Sequence, residues 1–369
     1  MIYSAYIIHS GGNAMEIIKN QVHDSKYIVI SQYYKPEDIL LFDIETTGFA
    51  AEATMVYLIG CVYFEDGNFV AKQWFNDDGE SESQIICDFM EFTKKFKYIF
   101  HYNGDGFDIP YIEKKISRYA YDYSFSGLIS IDIYKKIKPF KKLLHLDNLK
   151  QKSIERFLGV NRLDKYSGGD LIKVYSDFLA SSNPMQKTLL IQHNYDDLEG
   201  LLYSCSMLAY TKLFAGCLVV SKMTVRQNKL VFSLKLDYGL PKRITAGISD
   251  ILITAFKDEG TISVPILDTE LKFFFDNYRE YYYLPAEDMA VHKSVASFVD
   301  RNYRQPAKKD NCYIRKKGYF ITQIDSGIMA GYKYGCKDKE SFIELADSFL
   351  QDIDMLNAYA RHILSLIIK

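Results

Sequence analysis

The stretch Ile39-Leu40-Leu41-Phe42-Asp43-Ile44-Glu45-Thr46-Thr47-Gly48 decides the reading of this chain. Four apolar residues run unbroken up to a charged end, the pattern of a strand buried on both faces. Asp43 and Glu45 are two apart, so an extended backbone projects both carboxylates from one face. Adjacent carboxylates repel and raise each other's pKa unless a cation sits between them. The pair therefore points to a divalent metal site, and hard oxygen ligands favour magnesium or manganese over zinc. A solvated acidic strand end followed by a turn at Gly48 would give the same hexapeptide, so the decision rests on the rest of the chain.

Two later segments supply it. The apolar strand candidate Tyr98-Ile99-Phe100 leads into His101-Tyr102-Asn103-Gly104-Asp105-Gly106-Phe107-Asp108. Asp108 opens a helical pattern in which Pro110 suits the first turn, so two glycines and a tight loop deliver this carboxylate at a strand-to-helix junction. The second segment, His193-Asn194-Tyr195-Asp196-Asp197, lies in a long helical pattern from about Met185 to Phe214. His193 and Asp197 are four apart and share one helix face.

Taken in order, these residues resemble the DEDD superfamily of 3′-to-5′ exonucleases, whose domain has the ribonuclease H-like fold. Asp43-x-Glu45 matches the first motif and Asn103 with Phe107-Asp108 the second. The third motif is usually Tyr-x-x-x-Asp or His-x-x-x-x-Asp. Here it is His193-x-x-x-Asp197, the tyrosine-type spacing with a histidine in the tyrosine's place. Downstream pieces (Ser130 to Tyr134, Leu144 to Lys150, Ser153 to Val160, Arg162-Leu163-Asp164, Gly168-Gly169-Asp170) look like the narrower YprB-type family of predicted bacterial ribonuclease H-like exonucleases. The resemblance covers about Ile39 to Phe214.

The resemblance implies a metal-dependent 3′–5′ exonuclease acting on nucleic acid, most readily a single-stranded 3′ end. Two magnesium or manganese ions per site would be held by Asp43, Glu45, Asp108 and Asp197, with Asp43 bridging. His193 would orient the attacking water and take its proton. Thr46, Thr47 and Gly48 would contact the terminal nucleotide, and Asn103 would brace the second-motif loop. Asp105 and Asp196 read as solvated turn and helix residues, and Asp132 as a structural acid at a strand end. The alternatives are a non-catalytic nucleic-acid-binding or adaptor protein that keeps the fold, and an internally cutting nuclease of the same fold.

The wider chain sets the frame. Its 369 residues suffice for two domains, each with a core of its own. We expect an N-terminal extension over 1–35, with a strand at Tyr27 to Ile30, and a ribonuclease H-like domain over 36–216. That domain reads as a mixed α/β sheet flanked by helices, with a hairpin from Tyr57–Phe64 to Phe69–Phe75 and helices at Glu82–Lys95 and Asn148–Leu158. From 219 to 369 the texture suggests a β-rich α+β domain. Strand patterns begin at Lys229 and Ile251, a turn falls at Asp258-Glu259-Gly260, and a closing helix carries an apolar stripe from Phe342 through Leu345, Phe349, Ile353, Leu356, Ala360 and Ile363 to Ile367.

Formal net charge is −2, so the global positive field of a duplex-coating protein is absent. An interleave of bases and aromatics from Arg301 to Tyr319 could stack a single strand, but Asp300 and Asp310 dilute it and a solvated face reads better. The six cysteines form no Cys-x-x-Cys and read as reduced thiols. Neither a membrane-spanning run nor a signal peptide is recognisable, so a cytoplasmic location without membrane association is expected.

Overall fold

The computed structural model describes residues 6–9, 15–22, 28–160, 162, 166, 168–325 and 327–368. Two compact units emerge: Met1–Thr211 with Leu240–Lys242, and Lys212–Gly239 with Arg243–Lys369.

The first unit is built on a seven-stranded sheet. Its strands are β1 (Tyr6–His9), β2 (Met15–Gln21), β3 (Ile39–Thr46), β4 (Val56–Glu65), β5 (Asn68–Asn76), β6 (Tyr98–His101) and β7 (Ile129–Asp132), in the order β1-β2-β5-β4-β3-β6-β7. From β1 to β3 neighbours are antiparallel, and β3, β6 and β7 run parallel. The expected hairpin is real. Asp66 and Gly67, at φ 50° and 82°, form the two-residue turn between β4 and β5, a geometry that suits Asp-Gly and matches strand twist.

Helices cover both faces. On one, α2 (Glu82–Thr93) and α3 (Asp108–Arg118) pack Ile85, Phe89, Tyr111 and Ile112 against Leu40, Phe42 and Ile44 of β3. On the other, α6 (Gly168–Ser181) and α7 (Pro184–Ser204) bury Leu171, Tyr175 and Leu190 against Tyr57, Leu58 and Phe75. Between these, α4 (Ile133–Ile137) and α5 (Gln151–Leu158) link β7 to α6. The period of two along β3 therefore turns Leu40, Phe42 and Ile44 toward α2 and α3, and Asp43 and Glu45 toward α7. Gly60 of β4, paired with Asp43, lets α7 come close: a Cβ there would lie 2.7 Å from Leu198 and overlap Asn194.

Two sequence expectations change here. Ile28–Ser31 is a short helix, α1, and not the strand expected at 27–30; Tyr27 lies outside the described residues. Four apolar residues in a row carry no period, so length and context decide between the two states. The long helix expected to Phe214 gives way to a 3₁₀ turn at Cys205–Met207 before α8 (Leu208–Phe214). Within the N-terminal extension, β2 joins the sheet of the first unit by pairing with β5 along seven residues.

In the second unit β8 (Leu218–Arg226), β9 (Lys229–Ile248) and β10 (Ile251–Pro265) form one sheet, in the order β10-β9-β8. Asp258 to Gly260 is no turn: β10 runs straight through it. Lys257, at φ 51°, takes a left-handed conformation within the strand without ending it. A second sheet joins β11 (Leu267–Phe274), β15 (Tyr313–Thr322) and β16 (Phe342–Glu344), and a third β12 (Tyr281–Leu284), β13 (Met289–His292) and β14 (Gln305–Pro306). Short helices α9 (Lys293–Ala296) and α10 (Asp347–Leu350) precede α11 (Ile353–Ile367). The closing helix is thus shorter than its apolar stripe. Phe342 is paired into β16, and Asp352 caps α11 by accepting from the backbone N–H of Asp354 and Met355.

Cations of the 301–319 interleave are divided among partners: Arg304 lies over Tyr282, Arg315 beside Glu270 and Asp288, and Lys316 against Glu344. All six cysteines are free thiols. Among the described residues no helix is long and apolar enough to cross a membrane.

Candidate active site

The parallel pairing of β3 with β6 stops at Leu41 and Phe100, so β3 runs on past the end of β6 at the carboxyl edge, where open α/β sheets place their ligands. β3 brings Asp43 and Glu45. After β6 the chain turns through Asn103, whose φ of 61° is a left-handed conformation that asparagine tolerates well. Asp132, at the end of β7, accepts from the Asn103 N–H at 3.0 Å and from the Lys135 N–H at 3.2 Å, which ties the loop down and caps α4. Asp132 thus braces this loop, and with His101 and Asp105 it forms a second group of closely spaced ligating atoms. Asp105 is held as well, accepting from Ser130 and Lys135, both at 2.7 Å. The loop delivers Asp108 as the first residue of α3, where its Oδ1 accepts from the Ile44 N–H at 3.3 Å. That bond locks the second acidic segment to the first.

From the opposite face α7 supplies His193, Asn194 and Asp197. His193 Nε2 lies 3.2 Å from Asp197 Oδ2 and 3.7 Å from Glu45 Oε1. Glu45, His193 and Asp197 thus form one cluster whose ligating atoms are all within 4.8 Å of one another. Asp43 and Asp108 stand outside that tight group but inside its field. Asn194 donates from Nδ2 to Asp43 Oδ2 at 3.0 Å, while its Oδ1 accepts from Gln73 at 2.9 Å. Asp196, one residue from Asp197, accepts from Gln192 Nε2 at 2.7 Å.

Electrostatics separates the carboxyls into two kinds. Burial pushes Asp43 well above the ordinary carboxylate range, helped by repulsion from Asp108, Asp197 and Glu45 and opposed by the Asn194 hydrogen bond. Burial also pushes Glu45 up to about 8, against the pull of His193 and with repulsion from Asp197 and Asp108. Asp108 is pushed up to about 7 by burial, with the backbone bonds from its own and the Ile44 N–H opposing. Asp197 goes the other way. Burial would raise it, but the hydrogen bond from His193 and the Arg162 guanidinium together hold it below the usual range. Three acids that favour their protons, beside one that is ionised, make a site short of positive charge.

Arg162 had no role in the sequence reading beyond an Arg-x-Asp fragment, whose Leu163 and Asp164 lie outside the described residues. Its guanidinium is held between Asp197, through Nη1, and the buried Glu155, through Nε and Nη2. Gln151 donates to the Asp197 carbonyl at 2.8 Å and to Glu155 Oε1 at 3.1 Å. Gly200 makes room, since a Cβ there would fall on this Arg162–Glu155 pair. Asn194 was missed as well. The available signal was polar residues at helix positions that the packing pattern requires to be buried.

The loop after β3 is braced internally. Thr46 Oγ1 donates to the Gly48 carbonyl at 2.8 Å, and Thr47 Oγ1 accepts from the Met55 N–H at 3.0 Å. Beyond it Phe49 is 90% exposed, its ring 5.9 Å from that of Phe107. Asn103 is exposed at the mouth of the site.

A family model described as RNase_H superfamily matches residues 40–203. With the mixed sheet flanked by helices, this is the ribonuclease H-like α/β fold, followed by a β-rich unit. Among solved structures, similarity extends to the family B DNA polymerase of the archaeon Pyrobaculum calidifontis, at 18% identity and TM-score 0.39, over 48% of this chain and 25% of that one. It extends also to the zinc-bound E. coli ExoI–ssDNA complex, at 13% identity and TM-score 0.29, over 53% and 54%. A further structure of exonuclease I shows 15% identity and TM-score 0.28, over 59% and 55%. The chain thus spans a quarter to just over half the length of these proteins. No curated protein sequence matches it.

Proposed function

We propose that the protein is a metal-dependent nuclease that hydrolyses phosphodiester bonds, removing nucleotides from the 3′ end of a single strand. The observation that carries this reading is the convergence of four carboxyls and His193 from β3, α3 and α7, three of the carboxyls pushed up by burial and two of these also by repulsion within the cluster. The RNase_H superfamily match over 40–203 supports the class. The 3′–5′ direction and the narrower YprB-type affiliation rest on the order of the sequence motifs.

The donor set fits hard divalent cations, being carboxylate oxygen with one imidazole. Asp43, Glu45, Asp108 and Asp197 would hold two magnesium or manganese ions, which would supply activation of water and neutralisation of charge on the phosphate. The residues themselves do the positioning. Asn194 fixes the rotamer of Asp43, the Ile44 N–H fixes Asp108, and Arg162 and His193 fix Asp197. His193, whose Nε2 faces Asp197 and Glu45, would orient the attacking water and, as the neutral ring with Nε2 unprotonated, take its proton at that nitrogen.

One observation favours a second reading, a nucleic-acid-binding protein that keeps the fold without turnover: Asp197 already has a cationic partner in Arg162. End-labelled DNA and RNA oligonucleotides, incubated with magnesium or manganese, separate the two. Metal-dependent shortening that Asp43→Ala abolishes supports the nuclease. Unchanged substrates across both sugars and both strand states defeat it. A circular single strand that is cut would make the enzyme an endonuclease.

A further inference from the structure

His193 and Asp197 also line a cleft of about 840 Å³, to which Asp43, Glu45 and Asp108 do not contribute. Its walls come from the loop after β6, from α4, and from the segment leading into α5, all within the first unit. The lining is unlike the rest of this slightly acidic chain. Lys141, Lys150 and Lys152 line it, and Asp197, already paired with Arg162, is its one carboxylate among the described residues. Lys141 and Lys150 are exposed and have no carboxylate partner among the described residues.

Two rings complete it. Tyr102 and Tyr134 meet edge to face at 6.2 Å, and the Tyr102 hydroxyl donates to the Leu149 carbonyl at 2.7 Å, which fixes that ring against the segment carrying Lys150. Spaced cations with aromatic faces between them suit a chain of phosphates and bases, because each lysine answers one phosphate and each ring accepts any base. Neither the Thr46–Gly48 loop nor Phe49 lines this cleft.

We infer that the cleft is a binding tract for the single strand on the 5′ side of the nucleotide being removed, with Lys141 and Lys150 neutralising phosphates and Tyr102 and Tyr134 stacking bases. The assignment of a 5′ side rests on the nuclease reading above; the binding itself does not. It makes substrate affinity depend on strand length, and it places sequence-tolerant grip next to the carboxylates despite the net negative charge.

Fluorescence anisotropy tests this with labelled oligodeoxythymidylates and oligouridylates of increasing length, in EDTA so that no turnover intervenes. Affinity of the parent should rise with length. Lys141→Ala/Lys150→Ala should bind about tenfold or more weakly, and its log affinity should fall less steeply with log salt, by about 0.7 per lysine. Tyr102→Leu should weaken binding at least about fivefold without changing that slope, and Tyr102→Phe, which keeps the ring, should restore it. Melting temperatures of the variants confirm that they are folded. Parent-like affinity and salt slope in the folded lysine variant, or a parent that binds no oligonucleotide, overturns the tract. Lysine-dependent binding with no metal-dependent shortening leaves the tract standing as a single-strand site and sinks the nuclease.

Discussion

His193 Nε2 lies 3.2 Å from Asp197 Oδ2, one helical turn away on α7, and 3.7 Å from Glu45 Oε1 on β3. The imidazole therefore bridges carboxyls from two elements, at the position where the resembling motifs carry tyrosine. His193→Ala should lower turnover by about 10²–10⁴-fold, the usual cost of losing a positioned acid–base group. His193→Tyr should keep measurable activity with an altered pH profile. His193→Gln can still hydrogen bond but cannot exchange a proton, so it separates positioning from proton transfer. A Gln variant that matched the parent rate at every pH would remove His193 from the chemistry.

Charge in the carboxyl cluster makes metal-free folding pH-dependent with a definite sign. Glu45 and Asp108 rise to about 8 and about 7 in the fold, from ordinary values of 4.5 and 3.8. Between those limits the folded state binds more protons than the unfolded, so metal-free stability falls as pH rises, at up to about 1.4 kcal/mol per pH unit for each group. Asp197, held low, works oppositely: its contribution is present above its ordinary value and lost on acidification. Glu45→Gln should thus raise the melting temperature in EDTA at pH 8 and leave it nearly unchanged at pH 4. Magnesium should stabilise most at the alkaline end and release protons on binding at pH 7. Melting temperatures in EDTA that stay level from pH 5 to 8.5 would contradict this.

Much of this was legible from pattern alone, for physical reasons. β3 declares itself because apolar residues end at two carboxylates spaced by the strand period, and Asp66-Gly67 because few residue pairs accept two positive φ angles. Asp108 and His193 were placed by local spacing on helices. Arg162, Glu155 and Asn194 were not legible, since their roles depend on which elements pack together: a buried arginine pair reads in sequence like any surface charge. The closing helix was drawn too long for a related reason. Phe342 continues the apolar stripe by period, but its backbone pairs with Thr322, a contact between distant segments that a helical wheel cannot show.

Lys115 and Glu82 anchor the strand that follows the Thr46–Gly48 loop. Lys115 Nζ is 2.9 Å from Glu82 Oε1, which also accepts from the Val56 N–H at 2.7 Å, and the ammonium donates to the Thr54 carbonyl as well. Both side chains are buried, so Lys115→Met should cost about 3–5 kcal/mol by stranding the carboxylate. Lys115→Met/Glu82→Leu should recover much of that loss, although the Val56 N–H stays unsatisfied. Denaturant titration of the two variants checks both; equal stabilities would mean that Glu82 is not stranded.

Arg162 reaches Asp197 and Glu155 with different edges of one planar guanidinium, while Gly200 leaves the space it fills. A lysine keeps the charge but cannot reproduce that fork. If the guanidinium holds Asp197 in its working orientation, Arg162→Lys should lower turnover about tenfold or more and weaken manganese binding, with Gly200→Ala acting in the same direction by crowding the pair. Glu155→Gln should act likewise, more weakly, because one acceptor of the fork remains. Manganese affinity measured by electron paramagnetic resonance decides the sign. Tighter manganese binding in Arg162→Lys would mean that the guanidinium competes with the metal for Asp197, making the ion pair an inhibitory contact that must open before catalysis.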